Sequence, residues 1–306
     1  MRATRARNGP LLCGLLLVLG CRAQEPNLAR GERSADGPAQ AQATESEEPD
    51  TSVNQPFVVD EGLAQLLEQR NLEGAIAVYD TESDRWLCSH EDACDKPYQP
   101  ASTFKIPHAL IGLELGELVS TEHEFKWDGQ QYLIAAWNQD HTLRSAMEVS
   151  CVPCFQQLAR RIGEELMSEA LRKLDYGNAT LGAPIDVFWL EPGGLRISQR
   201  QQVTFLKRLK NQELPFSRRA MAATLDIIPK KVGSEYVLRG KTGLLGRQEQ
   251  TQWDVGWYVG FLEWPGGVTY FATVLTGSQD ADLFFAARRE VSVAALRLVT
   301  GMSHLE

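Results

Sequence analysis

The stretch PASTFKIPHALIGLELG, residues 100–116, decides how the rest of this chain is interpreted. It places Ser102 three residues before Lys105, and residues at that spacing share one face of a helix. The pair therefore offers a nucleophile beside a base. Pro107 is awkward in a regular helix, so we expect a distorted first turn and a helix end at Gly116. Ser102 lies near the helix start, where its backbone N–H and the helix dipole can stabilise an oxyanion.

Two short motifs far along the chain complete a set: Ser150-Cys151-Val152 and Lys241-Thr242-Gly243. A Ser-x-x-Lys pair alone means little, because ordinary composition produces one roughly every few hundred residues. The ordered combination of all three motifs is far rarer. Ser150 and Lys241 can form a proton relay, and Lys241 with Thr242 is suited to bind a carboxylate. A second interpretation of Ser150, compatible with the first, is an N-cap for a helix over residues 155–162.

Further stretches extend the pattern, and they are Trp127-Asp128-Gly129, Tyr176-Gly177-Asn178, FWLEPGGLRIS (188–198) and Trp257-Tyr258-Val259-Gly260. With the three motifs they resemble the class D serine β-lactamases, the oxacillinases, within the superfamily of β-lactamases and penicillin-binding proteins. The resemblance runs from about Phe57 to Thr300. Because class A enzymes and penicillin-binding proteins share Ser-x-x-Lys, it is Tyr176-Gly177-Asn178 and Trp189 that select the class. One departure is that Trp189 to Gly193 is one residue longer than the family's W-x-x-G.

The resemblance implies a serine hydrolase that opens the β-lactam ring of penicillins and related antibiotics through an acyl-enzyme at Ser102. Serine needs a base, and a charged lysine cannot accept a proton, so Lys105 must be neutral or modified. Burial would lower the pKa of Lys105. The family implies an N6-carboxylated Lys105 as general base, with carbon dioxide or bicarbonate as the sole cofactor and no metal.

The remaining site residues are also assigned by the resemblance. The second oxyanion donor is the backbone N–H of Leu244, and Ser150 passes a proton between Lys241 and the leaving nitrogen. The substrate carboxylate is bound by Thr242, Gly243 and Arg288. The carbamate pocket is walled by Val152 and Leu190, and the Trp189 indole N–H holds the carbamate. A plain core tryptophan is the alternative for Trp189. Arg289 is adjacent to Arg288, so the carboxylate partner is one of the two. Tyr176-Gly177-Asn178 is expected to shape the cleft.

The composition is ordinary for a soluble globular protein. The chain has 306 residues, of which 43% are apolar and 23% charged, enough for a sizeable core in one large domain or two small ones. Its net charge of −9 argues against nucleic acid as a partner. The sequence favours neither a monomer nor an oligomer.

The N-terminus reads as a targeting segment. Residues 1–20 combine three early arginines with a short apolar stretch over residues 11–19, which is too short to span a bilayer. Val18-Leu19-Gly20-Cys21 resembles a bacterial lipobox, which implies lipidation of Cys21. Ordinary signal-peptidase cleavage nearby is the alternative, and either predicts an exported, periplasmic protein. Residues 21–55 are polar and predict a flexible tether before a domain over residues 56–306.

The hydrophobic pattern predicts an α+β fold. Two strands, residues 75–79 and one around Trp86, precede a mostly helical middle, and three strands follow at residues 235–241, 254–263 and 268–276. An amphipathic helix over residues 283–299 ends the domain. We therefore expect a central antiparallel sheet formed by both chain ends, with flanking helices, as in the β-lactamase and transpeptidase fold.

Four cysteines remain when Cys13, which is removed, and Cys21, which is lipidated or removed, are set aside. In an oxidising compartment, Cys88 and Cys94 are expected to form a disulfide. Cys151-Val152-Pro153-Cys154 has C-x-x-C spacing, but no βαβ context or second ligand pair accompanies it. We therefore expect Cys154 to be a small buried apolar residue rather than part of a redox or metal motif.

Three rival functions share some of these features. A penicillin-binding sensor domain is acylated but not turned over, and a D,D-peptidase acts on cell-wall peptides. An inactive lipoprotein scaffold is disfavoured because every motif residue is present.

Overall fold

The computed structural model describes residues 55–246, 253–278 and 281–306. The predicted targeting segment, Cys21 and residues 21–54 of the predicted tether lie outside the described residues. The strands are β1 (Val58–Val59), β2 (Gly74–Asp80), β3 (Arg85–Cys88), β4 (Glu124–Phe125), β5 (His141–Thr142), β6 (Lys230–Val232), β7 (Val237–Gly246), β8 (Trp253–Trp264) and β9 (Gly267–Ser278). The α-helices are α1 (Glu61–Glu68), α2 (Lys105–Glu114), α3 (Leu143–Glu148), α4 (Val152–Ile162), α5 (Glu164–Leu174), α6 (Gln199–Lys210), α7 (Arg218–Ile227) and α8 (Ala281–Thr300).

A seven-stranded sheet in the order β1-β3-β2-β9-β8-β7-β6 joins the two ends of the domain. The β2–β9 pairing, with Val78 opposite Phe271, is the seam between the N-terminal and C-terminal strands. The predicted α+β fold with a central sheet from both chain ends is therefore confirmed. The sheet is not antiparallel throughout, because β1 runs parallel to β3. The short strands β1 and β6 were not predicted, because two or three residues carry no detectable alternation.

The sheet separates two hydrophobic cores. One face packs against α1 and α8 and buries Leu63, Phe271, Phe284 and Val291. The larger core lies between the other face and the middle helices and is rich in aromatic residues. A single continuous sheet has to be apolar on both faces here, which explains the near-continuous apolar run over β2. No helix among the described residues is both long and apolar enough to cross a membrane.

Residues 100–116 form two consecutive helical pieces. A 3₁₀ turn, Ala101–Phe104, carries Ser102, and α2 follows directly from Lys105. The distorted first turn expected from Pro107 is thus a tighter helix type rather than a kink. Leu115 is the C-cap of α2, and Gly116 follows it with φ +77°.

Four cysteine side chains in the described part of the chain form two disulfides. Cys88 is joined to Cys94, across the loop that leads toward Ser102. Cys151 is joined to Cys154, and this corrects the expectation that Cys154 is simply a small apolar residue. The C-x-x-C spacing was the signal, because two residues three apart in a first helical turn lie close enough to bridge.

Peptide mapping without reduction, after expression in an oxidising compartment, is expected to recover Cys88 linked to Cys94 and Cys151 linked to Cys154. Reduction before alkylation is the control, since it should release all four peptides. Free thiols or crossed pairings in the unreduced protein would contradict the two bridges.

Candidate active site

Ser102 lies on a turn that is held from two sides. The Thr103 side chain donates a hydrogen bond to the Pro100 carbonyl oxygen at 2.6 Å. Gln202 on α6 donates to Thr103 Oγ1 at 2.8 Å, and the buried Tyr176 hydroxyl donates to Gln202 Oε1 at 3.2 Å. Tyr176 therefore acts as a core residue behind the turn, and this hydrogen-bonded chain determines where Ser102 points.

The sheet supports the same turn from the other side. A Cβ atom on Gly243 of β7 would lie 2.9 Å from the Pro100 carbonyl oxygen and 3.1 Å from Thr103 Cγ2. Only glycine permits so close an approach, so the Lys241-Thr242-Gly243 strand packs directly against the turn that carries Ser102. Trp257 on β8 also donates its indole N–H to the Gln99 carbonyl oxygen at 2.8 Å.

Lys105 lies beside Ser102 in a buried, largely apolar enclosure. Its Nζ is 2.9 Å from Ser102 Oγ, and its side chain is fully buried. Nζ lies 5.4 Å from the centroid of the Phe155 ring. Burial disfavours the charged amine and lowers the pKa of Lys105 to about 7. A substantial fraction of Lys105 is therefore neutral at neutral pH and able to accept a proton.

Trp189 belongs to the aromatic cluster around this lysine. Its ring stacks on Phe104 with centroids 5.7 Å apart, and the whole side chain is buried. Its Nε1 has no hydrogen-bond partner among the described residues. A buried indole N–H without an acceptor is costly, so this nitrogen is available to a polar group placed beside it.

Ser150 and Lys241 form a second serine–lysine pair. Lys241 Nζ donates to Ser150 Oγ at 3.0 Å and to the Thr242 carbonyl oxygen at 2.9 Å. The pKa of Lys241 is well below its usual value, mainly because of burial and also because Lys105, Arg288 and Arg289 are nearby cations. Ser150 is not the helix cap that was the second interpretation. Helix α4 begins at Val152 and its N-cap is Cys151, while Ser150 has a left-handed backbone with φ 55°.

Arg288 on α8 supplies a cation at the cleft. It is largely buried and its guanidinium donates to the Gly243 carbonyl oxygen. Burial lowers its pKa to about 10, so it remains charged at neutral pH. The Arg289 guanidinium instead lies 5.6 Å from the centroid of the Tyr258 ring, and Arg289 does not line the cleft. Of the two arginines considered as carboxylate partners, Arg288 is therefore the one at the cleft.

These groups meet at a cleft of about 470 Å³, a volume suited to a small-molecule ligand. Its lining includes the predicted residues Ser102, Ser150, Val152, Leu190, Thr242, Gly243, Leu244 and Arg288. Lys105, Trp189 and Lys241 lie behind this surface rather than on it. Among the described residues, no group of three or more His, Cys, Asp or Glu side chains is arranged to hold a metal ion.

Sequence reasoning missed part of the lining: Ile134, Trp137, Val149, Glu191, Leu245, Gly246 and Phe285. Ile134 and Trp137 belong to the loop between β4 and β5. The sequence signal that could have identified them is the apolar run YLIAAW, residues 132–137, inside an otherwise polar stretch. Glu191 lies in the stretch that is one residue longer than the family motif.

A scan against protein-family models matches residues 66–294 to the penicillin-binding protein transpeptidase domain. Fold and site together thus define a serine enzyme of the penicillin-recognising type. The curated relatives include β-lactamase OXA-48 of Klebsiella pneumoniae, 39% identical over 65% of this chain and 74% of the relative. Another is β-lactamase OXA-10 of Pseudomonas aeruginosa, 43% identical over 58% of this chain and 66% of the relative.

Solved structures narrow the class further. The class D β-lactamase YbXI from Nostoc superposes with a TM-score of 0.73 at 38% identity, covering 79% of this chain and 99% of its own. FUS-1 (OXA-85), a class D β-lactamase from Fusobacterium nucleatum, gives a TM-score of 0.75 at 33% identity, covering 80% of this chain and 100% of its own. The chain belongs to the class D β-lactamases.

Lys105→Met is expected to stabilise the fold, because it replaces a buried amine with an apolar side chain of similar length. The pKa of Lys105 is about 7 in the folded protein and about 10.5 for a lysine exposed to water, so the unfolded chain binds more protons between these two pH values. The wild type should therefore gain stability as pH rises from about 7 to 10.5. At pH 6.5 the free energy of unfolding of Lys105→Met should exceed that of the wild type by about 1–3 kcal/mol, and this difference should shrink toward pH 9.5.

Urea denaturation in buffer freed of carbon dioxide measures this difference. The exposed Lys173→Met variant on α5 is the matched control and should show no such pH-dependent advantage. A Lys105→Met advantage that is absent, or that is the same at both pH values, would contradict burial as the cause.

Proposed function

We propose that this chain is a β-lactamase that hydrolyses penicillins and related β-lactams through an acyl-enzyme at Ser102. The observation that carries the proposal is the Ser102–Lys105 pair, 2.9 Å apart and enclosed by apolar residues, in a chain of the class D family. The relatives' names, β-lactamase OXA-48 and β-lactamase OXA-10, support the reaction type.

Acylation begins with Ser102 Oγ attacking the lactam carbonyl carbon while its proton passes to the Lys105 side chain. The backbone N–H groups of Ser102 and Leu244 are the proposed oxyanion donors, and Leu244 lines the cleft beside Ser102. The C–N bond of the ring then breaks. Ser150, which accepts a hydrogen bond from Lys241, delivers the proton that the departing nitrogen needs.

Deacylation requires a water molecule to attack the ester carbonyl. Before this attack, the proton that Lys105 took from Ser102 replaces the one that the Ser150–Lys241 pair gave to the nitrogen, so that the Lys105 side chain is again a base. The proton of the attacking water then passes to the Lys105 side chain, and this proton is returned to Ser102 Oγ as the ester C–O bond breaks. The net reaction adds one water across the lactam C–N bond. Val152 and Leu190, both on the cleft surface, would limit how water reaches Lys105.

Substrate orientation is assigned to the cation beside β7. Arg288 holds its guanidinium against the Gly243 carbonyl oxygen, so it is fixed in place before the substrate arrives. A β-lactam carboxylate would bind the Arg288 guanidinium together with the Thr242 hydroxyl.

Lys105 is proposed to carry an N6-carboxyl group derived from carbon dioxide. The residues present fit this group, because a neutral amine is the form that adds carbon dioxide and the buried Trp189 N–H lacks an acceptor. When bound, the group supplies an anionic base in place of a bare amine.

The N-terminal part of the chain is assigned from the sequence alone. Residues 1–20 would direct export, Cys21 would carry lipid or be removed, and residues 21–55 would tether a catalytic domain over residues 56–306. This organisation would place the domain in the periplasm, where the two disulfides are chemically stable.

Ser102→Ala is expected to reduce nitrocefin hydrolysis by about a thousandfold or more, because it removes the proposed nucleophile. Ser168→Ala on α5 is the control and should retain wild-type rates. Hydrolysis that survives in pure Ser102→Ala protein would overturn the serine mechanism.

Purified wild-type protein distinguishes this function from a sensor domain and from a D,D-peptidase. Intact-mass spectrometry of wild type with a penicillin should show a transient adduct that disappears as product forms. A persistent stoichiometric adduct without turnover would identify a sensor domain, and faster turnover of peptidoglycan stem peptides would identify a D,D-peptidase.

Bicarbonate dependence tests the modified lysine. Stripping carbon dioxide should lower the rate, and added bicarbonate should restore it, more steeply at mildly acidic pH because protonation releases carbon dioxide. Trp189→Phe keeps the ring but removes the N–H, and should deepen the dependence, since an unpaired buried anion costs about 1–3 kcal/mol. Rates indifferent to bicarbonate, without a carboxylated lysine signal in carbon-13 NMR, would leave Lys105 as a bare amine.

A further inference from the structure

His108 is a buried polar residue that none of the proposed steps uses. Its side chain is fully buried, and neither Nδ1 nor Nε2 has a hydrogen-bond partner among the described residues. Buried polar atoms are nearly always paired in native proteins, and leaving one unpaired costs free energy. A leucine or phenylalanine would fill the same space without that cost, so the imidazole indicates a polar neighbour.

The surroundings of His108 identify that neighbour. His108 follows Lys105 by three residues on α2, so the two share a helix face. Its ring centroid is 5.4 Å from that of Phe155, the same ring that Lys105 Nζ approaches at 5.4 Å. The Trp189 ring is also 5.4 Å away.

The unpaired polar atoms around Lys105 are therefore clustered. Trp189 Nε1 and the two His108 nitrogens account for three of the buried unpaired side-chain atoms in the described residues. They lie in one aromatic enclosure with Phe104, whose ring is 5.2 Å from His108. Because these atoms lie together, one polar group bound among them would pair several of them at once, and this is a simpler explanation than independent unpaired atoms.

His108 has the protonation state that this role needs. Burial, together with the charge of Lys105, lowers the pKa of His108 to about 3. The neutral imidazole carries one N–H donor at any working pH.

We infer that His108 is a positioning residue that donates its ring N–H to the carboxylated side chain of Lys105, as a second donor beside Trp189. This inference rests on the carboxylated Lys105 of the proposed function. Two N–H donors would fix both oxygens of the carboxyl group, so that the base keeps one orientation toward Ser102.

Carbon-13 NMR of the purified domain, titrated with labelled bicarbonate at constant pH, measures carboxylation directly and without substrate. His108→Leu should raise the bicarbonate concentration needed for half-maximal carboxylation by about tenfold or more, since one hydrogen bond to a charged group is lost. His108→Asn keeps a donor near the Nδ1 position and His108→Gln keeps one near Nε2. At least one of the two should restore most of the affinity and so identify the nitrogen involved.

The outcomes separate the two hypotheses. Carboxylation that is present in wild type and equally strong in folded His108→Leu overturns the role of His108 and leaves the proposed base intact. A loss in His108→Leu that neither Asn nor Gln recovers also overturns it, because packing would then be responsible. A wild type without the signal overturns both the modified base and this inference.

Discussion

The burial of the Lys105 amine against Ser102 is the constraint on which the site depends. An ammonium group in this enclosure is disfavoured, and burial brings the pKa of Lys105 to about 7. The surrounding structure serves this one condition. Phe104, Phe155 and Trp189 exclude water, and the hydrogen-bonded chain from Tyr176 through Gln202 to Thr103 holds the turn that presents Ser102. Chemistry that needs a base at neutral pH follows from an apolar core built around a lysine.

The cost of this arrangement is spread over the fold. Within the described part of the chain, the polar atoms of His108 and Trp189 in this enclosure have no partner, and the backbone is left-handed at Ala101, next to Ser102, and at Ser150. Such features persist only where the surrounding packing determines them. Here the central sheet provides that packing, since β7 meets the Ser102 turn at Gly243 and α8 meets β7 at Arg288.

Much of this was predictable because the motifs are local. The Ser102–Lys105 spacing implies a shared helix face, and the α+β class follows from the order of apolar strands and the helical middle. Short edge strands such as β1 escaped detection because two residues have no period. The extension of β7 to Gly246 was also missed, since Gly243 and Gly246 read as strand breakers until pairing with β8 is known.

The sequence by itself determined the class of protein and the identity of the serine and lysine pairs, because spacing along a helix and residue chemistry are properties of the chain. Only the tertiary structure decided which groups meet. It brought Lys241 to Ser150, placed Arg288 rather than Arg289 at the cleft, joined Cys151 to Cys154, and left the nitrogens of His108 and Trp189 unpaired beside Lys105. These contacts depend on the register of the strands and on how the helices pack across the sheet. The burial that lowers the pKa of Lys105 likewise exists only in the folded core.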